Sequence, residues 1–288
     1  MSAKQQFGSW EEAVVWLREQ PDKQDLVLAA YYDDPLIEAA NRYYSSDEWQ
    51  TISQYYPSNN KTKEKRALDI GAGRGIASYA LAKDGFKVDA LEPDNSAIVG
   101  AKAIQALAQE SNLAITVSEN FSEKLPYDDA VFDVVFARAV LHHTKDLREA
   151  CQEFYRVLKP GGVLIAVREH VLSKKEDLPA FLDAHPLHNL YGGENAFLLS
   201  EYQSAITESG FLLDTTLSPL ESPVNYSPYT LRSLQAEIAQ RIGGRIPACA
   251  SLLKFLFAAP PIWFLSQKLL TRVDNRPGRL YSFVARRV

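Results

Sequence analysis

The sequence predicts an α/β fold with a mostly parallel sheet, and three observations point to it. From about residue 66 onward, short apolar runs alternate with amphipathic stretches of helical length, which is the pattern of successive βαβ units. A glycine-rich turn, 71–75, follows the first apolar run. At 288 residues the chain is long enough for one such domain with sizeable additions. We therefore expect a sheet flanked by helices.

The elements are assigned in chain order. Residues 10–56 are predicted to be helical, because apolar and aromatic side chains recur at helical spacing between turns at Pro21 and Pro35. Lys159-Pro160-Gly161-Gly162 is expected to end a helix and turn the chain into the fifth strand. The predicted strands are 67–70, 87–91, 114–118, 132–137, 163–167, 211–217 and 281–285. The predicted helices between them are 76–83, 96–111, 147–158 and 201–209.

Two helical additions flank the predicted sheet. Residues 1–62 are expected to form an N-terminal helical cap, and residues 63–288 a single domain with a helical insertion at about 219–275, before the last strand. The insertion is apolar but is divided by Lys254 and Pro260-Pro261 into pieces too short to span a membrane. From Arg241 onward there are nine basic residues and one acid. We expect the insertion to wall the active site, ahead of a dimer contact, with membrane-surface contact as a minor alternative.

Composition restricts the class of protein. The net charge of −5 argues against nonspecific nucleic-acid binding. Cys151 and Cys249 match neither a disulfide framework nor a zinc motif, which favours a reducing compartment. The N-terminus lacks the apolar core of a signal peptide. We expect a cytoplasmic protein that is a monomer or a homodimer.

The glycine-rich turn reads Leu68-Asp69-Ile70-Gly71-Ala72-Gly73-Arg74-Gly75. Glycines at a strand-to-helix turn let the backbone approach a ligand at a helix N-terminus. A nicotinamide dinucleotide fingerprint needs glycine where this chain has Ile76. Asp69 ends the first strand, where a carboxylate suits a cationic amino-acid group better than a pyrophosphate. Glu92 ends the second strand and could accept hydrogen bonds from both hydroxyls of a ribose.

Four motifs occur in this chain in the same order as in a known protein family: LDIGAGRG, LEPD, SEKLPYDDAVFDVVFARAVLHHTKD and VLKPGGVLIAV. Over about residues 66–170 the chain resembles the class I S-adenosylmethionine (SAM)-dependent methyltransferases, in particular the ubiquinone and menaquinone biosynthesis group. The resemblance implies a Rossmann-like, seven-stranded sheet and SAM as the cofactor, with S-adenosylhomocysteine (SAH) as its product. It also implies that the N-terminal helices cover the active site as a lid.

The resemblance also implies which residues hold the cofactor. Asp69 and the loop glycines would contact the methionine part of SAM, and Glu92 the ribose. Relatives often have an aspartate shortly before LPY that contacts adenine; this chain has Phe121 there, so stacking and backbone groups would hold adenine. The implied set is Asp69, Gly71, Gly73, Gly75, Glu92, Asp94, Phe121, Ala137 and Arg138.

All five histidines, at positions 142, 143, 170, 185 and 188, fall between the fourth strand and the segment after the fifth. The ligand crevice of an open α/β sheet forms there, so this cluster is the best clue to the methyl acceptor site. His142, His143 and His170 are candidates for a general base, with Glu169 orienting one of them. His170, oriented by Glu169, ranks first as the general base, because cofactor binding in the family does not require that pair. At least one of His142 and His143 is expected to pack or cap a helix.

The loop 185–195 is polar, aromatic and glycine-bearing, the composition of a recognition loop on a rigid sheet. Its histidines could instead cap nearby helices. A metal site from Glu169, His170, His185 and His188 is conceivable, but the spacing matches no closed zinc motif, so we expect no metal. Some N-terminal aromatic residues could face SAM or the acceptor, although packing would explain most of them: Tyr43, Tyr44, Trp49, Tyr55 and Tyr56.

The sequence therefore favours an enzyme, a SAM-dependent methyltransferase acting on a small-molecule or glycan-type acceptor. Oxygen is the favoured acceptor atom, because histidines and acids suit the removal of a hydroxyl proton; nitrogen and carbon remain open. The alternative from another class is a non-catalytic SAM-binding or interaction protein with the same fold. An NAD-dependent enzyme ranks third, since Ile76 breaks the dinucleotide fingerprint.

Overall fold

A computed structural model describes residues 7–57, 64–244 and 246–288. The expected boundary between the helical cap and the sheet domain, at residues 62 to 63, lies outside the described residues, as does one basic residue of the tail, Arg245. The described strands, β1 to β8 in chain order, are Lys65–Ile70, Phe86–Leu91, Ile115–Ser118, Phe132–Arg138, Leu158–Leu172, Phe197–Leu198, Phe211–Leu217 and Arg279–Arg287.

Seven strands form one sheet in the order β3-β2-β1-β4-β5-β8-β7, and β6 pairs with β5 outside this path. β8 is antiparallel to both of its neighbours, whereas the other paired strands are parallel. The predicted mostly parallel, Rossmann-like sheet is therefore confirmed. β6 was not predicted, because two residues are too few to show any periodicity.

Helices cover both faces of the sheet and precede it along the chain. Short 3-10 turns connect some of the elements: Pro21–Lys23, Ser53–Tyr55, Leu141–His143 and Lys175–Asp177. The α-helices, α1 to α14, are Trp10–Glu19, Gln24–Ala29, Leu36–Tyr44, Asp47–Ile52, Ile76–Lys83, Ala101–Ser111, Leu147–Val157, Leu178–Ala184, Pro186–Leu190, Leu199–Glu208, Pro223–Tyr226, Leu231–Gly243, Pro247–Phe257 and Pro260–Val273.

Two elements differ from their predicted bounds. Helix α6 begins at Ala101 rather than at residue 96, because a turn precedes it: Asp94 Oδ1 accepts the N–H of Ser96 at 2.7 Å, and the Asp94 carbonyl accepts that of Ala101 at 2.7 Å. Strand β5 begins at residue 158, not 163, and includes the Pro-Gly-Gly segment. The register between β4 and β5 shifts in that segment, so an irregularity takes up the proline and glycines within the strand.

Alternate residues of the central strands pack on opposite faces of the sheet. Val134 and Phe136 of β4 face the cluster that includes α5 and the N-terminal helices α3 and α4. Val135 and Ala137 face the other cluster, formed with α7 and α10. This two-residue period is what a strand covered on both faces requires. The ring of Trp49 lies 5.7 Å from that of Phe136, so α4 packs directly on the sheet.

The elements between β7 and β8 are the helices α11 to α14. No single helix of the described chain is both long and apolar enough to cross a membrane; α13 and α14 together meet the length and composition, but they are bent by 111°. Several apolar side chains on these helices face solvent, among them Leu252, Phe255, Leu265 and Leu269.

Candidate active site

A cavity of about 550 Å³ opens at the carboxyl ends of β1, β2 and β4. The glycine-rich loop and the end of β2 line one part of it, and the turn after β4 and the loop 185–194 line another. This is the crevice that the topology of an open α/β sheet provides for ligands. It is also large enough for a small-molecule ligand.

The glycine-rich loop requires glycine for two reasons: its backbone angles, and at Gly71 the lack of room for a side chain. Gly71, Gly73 and Gly75 have φ values of +58°, +55° and +83°, the left-handed region that favours glycine. A Cβ atom at Gly71 would lie 2.7 Å from Cγ2 of Val140. At Gly73 a Cβ would meet no atom within 4 Å, so this backbone borders open space. The loop thus presents bare backbone to the cavity at the N-terminus of α5.

Two buried carboxylates flank this loop. Asp69 accepts the hydroxyl of Ser78 at 2.6 Å, and Glu92 accepts the N–H groups of Gly73 at 2.7 Å and Asp94 at 2.9 Å. Burial raises the pKa of Asp69 to about 7, although the hydrogen bond from Ser78 lowers it in part. Burial likewise raises the pKa of Glu92 to about 7, although the hydrogen bonds from the backbone lower it in part. Neither carboxylate has an ion-pair partner within the described residues, and both line the cavity.

The other residues expected to bind the cofactor occupy different environments. Phe121 lines the cavity with its ring 64% exposed, so one face is free to stack. Asp94 also lines the cavity, with one carboxylate oxygen held by the turn before α6. Ala137 is fully buried within β4. Arg138 borders the cavity, but its guanidinium is turned to a different partner.

Arg138 forms a buried ion pair with Glu48 of α4. Its Nε donates to Glu48 Oε1 at 2.7 Å, and Glu48 is 1% exposed. Burial alone would lower the pKa of Arg138, but the Glu48 carboxylate outweighs it and the pKa is raised. Arg168 lies 3.7 Å from the same carboxylate. Arg138 therefore fastens the N-terminal helices to the end of β4.

Arg74 of the glycine-rich loop fastens a second part of the N-terminal region. Its Nη1 donates to the carbonyl oxygens of Tyr31 and Asp33, each at 2.9 Å, and its Nη2 pairs with Asp34. These contacts place Tyr31 and Tyr32 in the wall of the cavity. Arg74 thus holds the segment before α3 against the glycine-rich loop; that the N-terminal helices act as a lid stays a prediction.

Four histidines and Glu194 cluster in the other part of the cavity. The rings of His142 and His143 are 4.2 Å apart, those of His142 and His170 4.8 Å, and those of His170 and His185 5.1 Å. Nδ1 of His143 lies 2.9 Å from the carbonyl oxygen of Gly193, and that of His170 3.1 Å from the carbonyl oxygen of Gly278.

Glu169 lies beneath this cluster and is fully buried. Its carboxylate accepts the backbone N–H groups of Val140, Leu141 and His142, each at 3.1 Å, and lies 2.6 Å from Nδ1 of His142. The sequence favoured Glu169 as the partner of His170, but the structure pairs it with His142. Successive residues of a strand point to opposite faces, which separates Glu169 from its neighbour His170.

The titratable groups of the cluster have pKa values that are shifted in different directions. Burial would lower the pKa of His142, but the charge of Glu169 outweighs it and raises the pKa to about 9. Burial and the charge of His142 lower the pKa of His170 to about 4, and they lower that of His143 too. Burial would raise the pKa of Glu194, but the neighbouring imidazoles, His142 foremost, hold it at about 2. The cluster is therefore built around a carboxylate that remains ionised.

Comparisons with known proteins identify the domain that carries this cavity. Residues 68–166 match the sequence model of a family described as a methyltransferase domain. A demethylmenaquinone methyltransferase from Chlorobaculum tepidum is 36% identical over 103 residues, which are 35% of this chain and 39% of that protein. Residues 68–166 therefore lie in a methyltransferase domain. A sarcosine/dimethylglycine N-methyltransferase from Aphanothece halophytica is 31% identical over 145 residues, 48% of each chain.

A solved structure shares the fold of this chain over its whole length. Geranyl diphosphate C-methyltransferase from Streptomyces coelicolor, solved with Mg²⁺, geranyl diphosphate and SAH, matches with a TM-score of 0.58 and 13% identity, over 100% of this chain and 99% of that chain. The chain spans less than half the length of the two curated relatives named above. The sequence similarity to these two relatives therefore covers less than half of this chain. The rest is compared by fold alone.

Sequence reasoning missed several residues that line this cavity. Glu194 was assigned only to a recognition loop, and Trp10, Tyr31 and Tyr32 were not singled out. Of the N-terminal aromatics considered instead, Tyr43 and Trp49 are fully buried in packing. The insertion helices α12 to α14 were expected to wall the active site, yet none of their described residues lines this cavity. Helices α12 and α14 instead border a separate cavity with Gly278 and Leu280.

Proposed function

We propose that this protein transfers the methyl group of SAM to an oxygen atom of a small-molecule acceptor. The observation that carries the proposal is the pair of buried carboxylates, Asp69 and Glu92, which flank bare glycine backbone in the same cavity as the histidine cluster. Neither carboxylate is neutralised by an ion pair within the described residues. A ligand with a cationic group and hydroxyl donors would supply what these carboxylates lack.

The cofactor-holding residues follow from this fit. Asp69 would attract the ammonium group of the methionine part, and Glu92 would accept hydrogen bonds from the ribose hydroxyls while the N–H groups of Gly73 and Asp94 hold it in place. The exposed face of Phe121 would stack on adenine. The bound SAM would supply an activated methyl group on a sulfonium.

The histidine cluster supports an oxygen acceptor. The acceptor must be aligned, shielded from water and, if it is a hydroxyl, deprotonated. His142, His143 and His170 line the cavity together, and each has Nδ1 next to an oxygen. The raised pKa of His142 keeps that ring protonated near neutral pH, whereas the pKa values of His143 and His170 are lowered, so Nε2 of His143 or His170 is the ring nitrogen available to accept a proton. Glu169 is a positioning residue, because it is fully buried and holds His142 rather than reaching the cavity.

The walls of the cavity indicate the size and character of the acceptor. Trp10, Tyr31, Tyr32 and Tyr191 add aromatic surface to the cavity that also contains the histidine cluster. Such a wall suits an aromatic, quinol-like or otherwise flat small molecule, and it also suits the apolar face of a sugar, so a glycan-type acceptor remains the alternative substrate. The relatives named above include a quinone methyltransferase, an amine methyltransferase and a prenyl carbon methyltransferase. The acceptor must therefore be found by experiment.

One experiment separates an enzyme from a non-catalytic SAM-binding protein. The purified full chain is incubated with SAM carrying a labelled methyl group and with a cell metabolite extract, and released SAH and labelled products are identified by mass spectrometry. The proposal predicts SAH release that depends on the extract and is lost in Asp69→Ala. SAM binding without SAH release in any extract fraction would indicate a binding protein.

A further inference from the structure

Two histidines and one glutamate in the cavity bring ligand-type atoms close together. Oε2 of Glu194 lies 3.6 Å from Nε2 of His142 and 3.9 Å from Nε2 of His143, and one ligand atom from each of the three residues lies within 4.8 Å of the other two. His170 belongs to a second group, with His185 and Glu194. In a tetrahedral zinc site with bonds of about 2.0–2.1 Å, neighbouring ligand atoms are about 3.3 Å apart. Both histidine nitrogens therefore lie within about 0.6 Å of coordination spacing from Oε2 of Glu194.

The hydrogen bonds around the cluster set the histidine tautomers that a metal requires. His143 has Nδ1 beside a backbone carbonyl oxygen, and His142 has Nδ1 beside the carboxylate of Glu169. These oxygens can only accept, so in each neutral ring the proton belongs on Nδ1 and the lone pair on Nε2. A second-layer carboxylate or carbonyl behind each histidine is the usual arrangement around protein-bound zinc.

The carboxylate of Glu194 provides a second, independent observation that points to a cation. Its side chain is only 8% exposed, and Oε2 is buried without a hydrogen-bond partner. A buried carboxylate oxygen without a partner is costly. A cation between Glu194 and the two histidines would satisfy this oxygen and the histidine lone pairs together.

We propose that His142, His143 and Glu194 bind one divalent transition-metal ion, with zinc as the best match to two imidazoles and one carboxylate, a set that leaves a fourth coordination position open. No zinc motif shows in the sequence, because the ligands come from two separate segments. Glu169 stands behind the site as the partner of His142. His185 stays outside the ligand set, because its Nδ1 already accepts the N–H of His188 at 3.3 Å as the cap of α9.

The metal also narrows the acceptor class; this step rests on the proposed function. A metal held by these side chains would face the cavity that also contains the SAM-binding loop. An acceptor hydroxyl that entered the coordination sphere would lose its proton to solvent, because a bound divalent ion lowers the pKa of a coordinated hydroxyl. The resulting oxyanion would then attack the methyl carbon of SAM, so that the O–CH3 bond forms as the S–CH3 bond breaks and SAH leaves. The acceptor would therefore carry a hydroxyl able to reach the metal, and no free histidine base would be needed.

The test uses the full chain after removal of metal with a chelator. Zn²⁺ is titrated by calorimetry, and Co²⁺ is titrated as a spectroscopic probe of the ligand set. We expect one equivalent of each ion to bind, with Co²⁺ giving visible bands typical of a site with nitrogen and oxygen ligands. Glu194→Gln and His143→Ala should each weaken binding about tenfold or more. His188→Ala is the matched control, because it removes a nearby histidine that is not a ligand, and it should bind as the wild type does.

Two outcomes overturn the metal site: no saturable binding at one equivalent in the folded wild type, or equal binding in wild type, Glu194→Gln and His143→Ala. Thermal melts of each variant confirm folding. SAH binding is measured by calorimetry on the same samples to keep the two proposals separate. A chain that binds SAH but no metal contradicts only the metal site, whereas one that binds metal but not SAH supports the metal site and contradicts the proposed function.

Discussion

Nδ1 of His142 lies 2.6 Å from Oε2 of Glu169, and both side chains are almost completely buried. The same carboxylate accepts three consecutive backbone N–H groups, Val140 to His142, after β4. One acid therefore fixes both the turn that carries His142 and His143 and the orientation of the first ring. The shape of the histidine cluster depends on this single residue of β5.

Replacing Glu169 with glutamine should destabilise the fold. The amide keeps the size of the side chain but loses the charge, and one of its two terminal groups can no longer accept. We expect the free energy of unfolding to fall by about 1–3 kcal/mol, measured by urea denaturation. Glu237→Gln is the control, because Glu237 forms an exposed pair with Arg241 and should change stability little. Equal stability of Glu169→Gln and wild type would contradict the role given to Glu169.

Removing Glu48 should destabilise the protein more than removing a surface carboxylate. Glu48→Ala leaves Arg138 buried beneath the N-terminal helices without its 2.7 Å partner. Loss of one member of a buried ion pair costs about 3–5 kcal/mol. Urea denaturation of Glu48→Ala and of the exposed control Glu237→Ala measures the difference. A loss as small as that of the control would mean that the pair does not fasten the N-terminal region.

Cofactor affinity should depend on pH through Asp69 and Glu92. Burial raises the pKa of each to about 7 in the free protein, and a bound ammonium group and ribose hydroxyls favour the ionised forms. Binding should therefore release protons near pH 6–7, and SAH affinity should fall as the pH drops below about 7. Calorimetry in buffers of different ionisation enthalpy measures the released protons. Glu92→Gln should release fewer; unchanged release would show that Glu92 does not titrate on binding.

The raised pKa values also affect the stability of the free protein. A carboxyl group whose pKa is higher in the folded state than in the unfolded state stabilises the fold at acidic pH, and this contribution is lost as the pH rises through the folded value, here about 7. SAH should restore stability above pH 7, because it favours the ionised carboxylates. Thermal melts with and without SAH at pH 5 and pH 8 follow both effects.

Replacing His170 should affect turnover more than cofactor affinity. The His170 ring lies in the histidine cluster, and its Nδ1 contacts the Gly278 carbonyl, so it should act on the acceptor rather than on SAM. Once an acceptor is known, kcat and SAM affinity are compared for His170→Ala, His142→Ala and His143→Ala. Equal loss of SAM binding and turnover in His170→Ala would show that the ring supports the cofactor site instead.

The sequence predicted the sheet and the glycine-rich loop because their signals are local. An apolar run followed by closely spaced glycines fixes a strand, a turn and the start of a helix within ten residues, so Asp69 could be placed from its position alone. The strand that contains Pro160-Gly161-Gly162 was shortened in the prediction, because Leu158 pairs with Phe132 on the far side of an irregularity that takes up these residues. That long-range pair has no local signal in the sequence.

The histidine cluster was only partly predictable, because its partners come from distant segments. The five histidines were recognised as neighbours of one crevice, but neighbouring positions in the chain suggested the wrong partner for Glu169. Glu194 could not be recognised, since its 3.6 Å approach to His142 depends on how the loop before β6 folds back. Tyr31 and Tyr32 of the N-terminal region likewise reach the cavity through contacts with Arg74, 43 positions from Tyr31.

The affinity for SAH of Asp69→Ala and Glu92→Ala tests the central claim most directly. Calorimetry should show that the wild type binds SAH and that each variant loses about 1.5–3 kcal/mol of binding free energy, because each removes a charge-assisted contact to one end of the cofactor. Glu237→Ala, far from the cavity, should bind as the wild type does. Unchanged SAH affinity in both folded variants would contradict the assignment of this cavity as the SAM site.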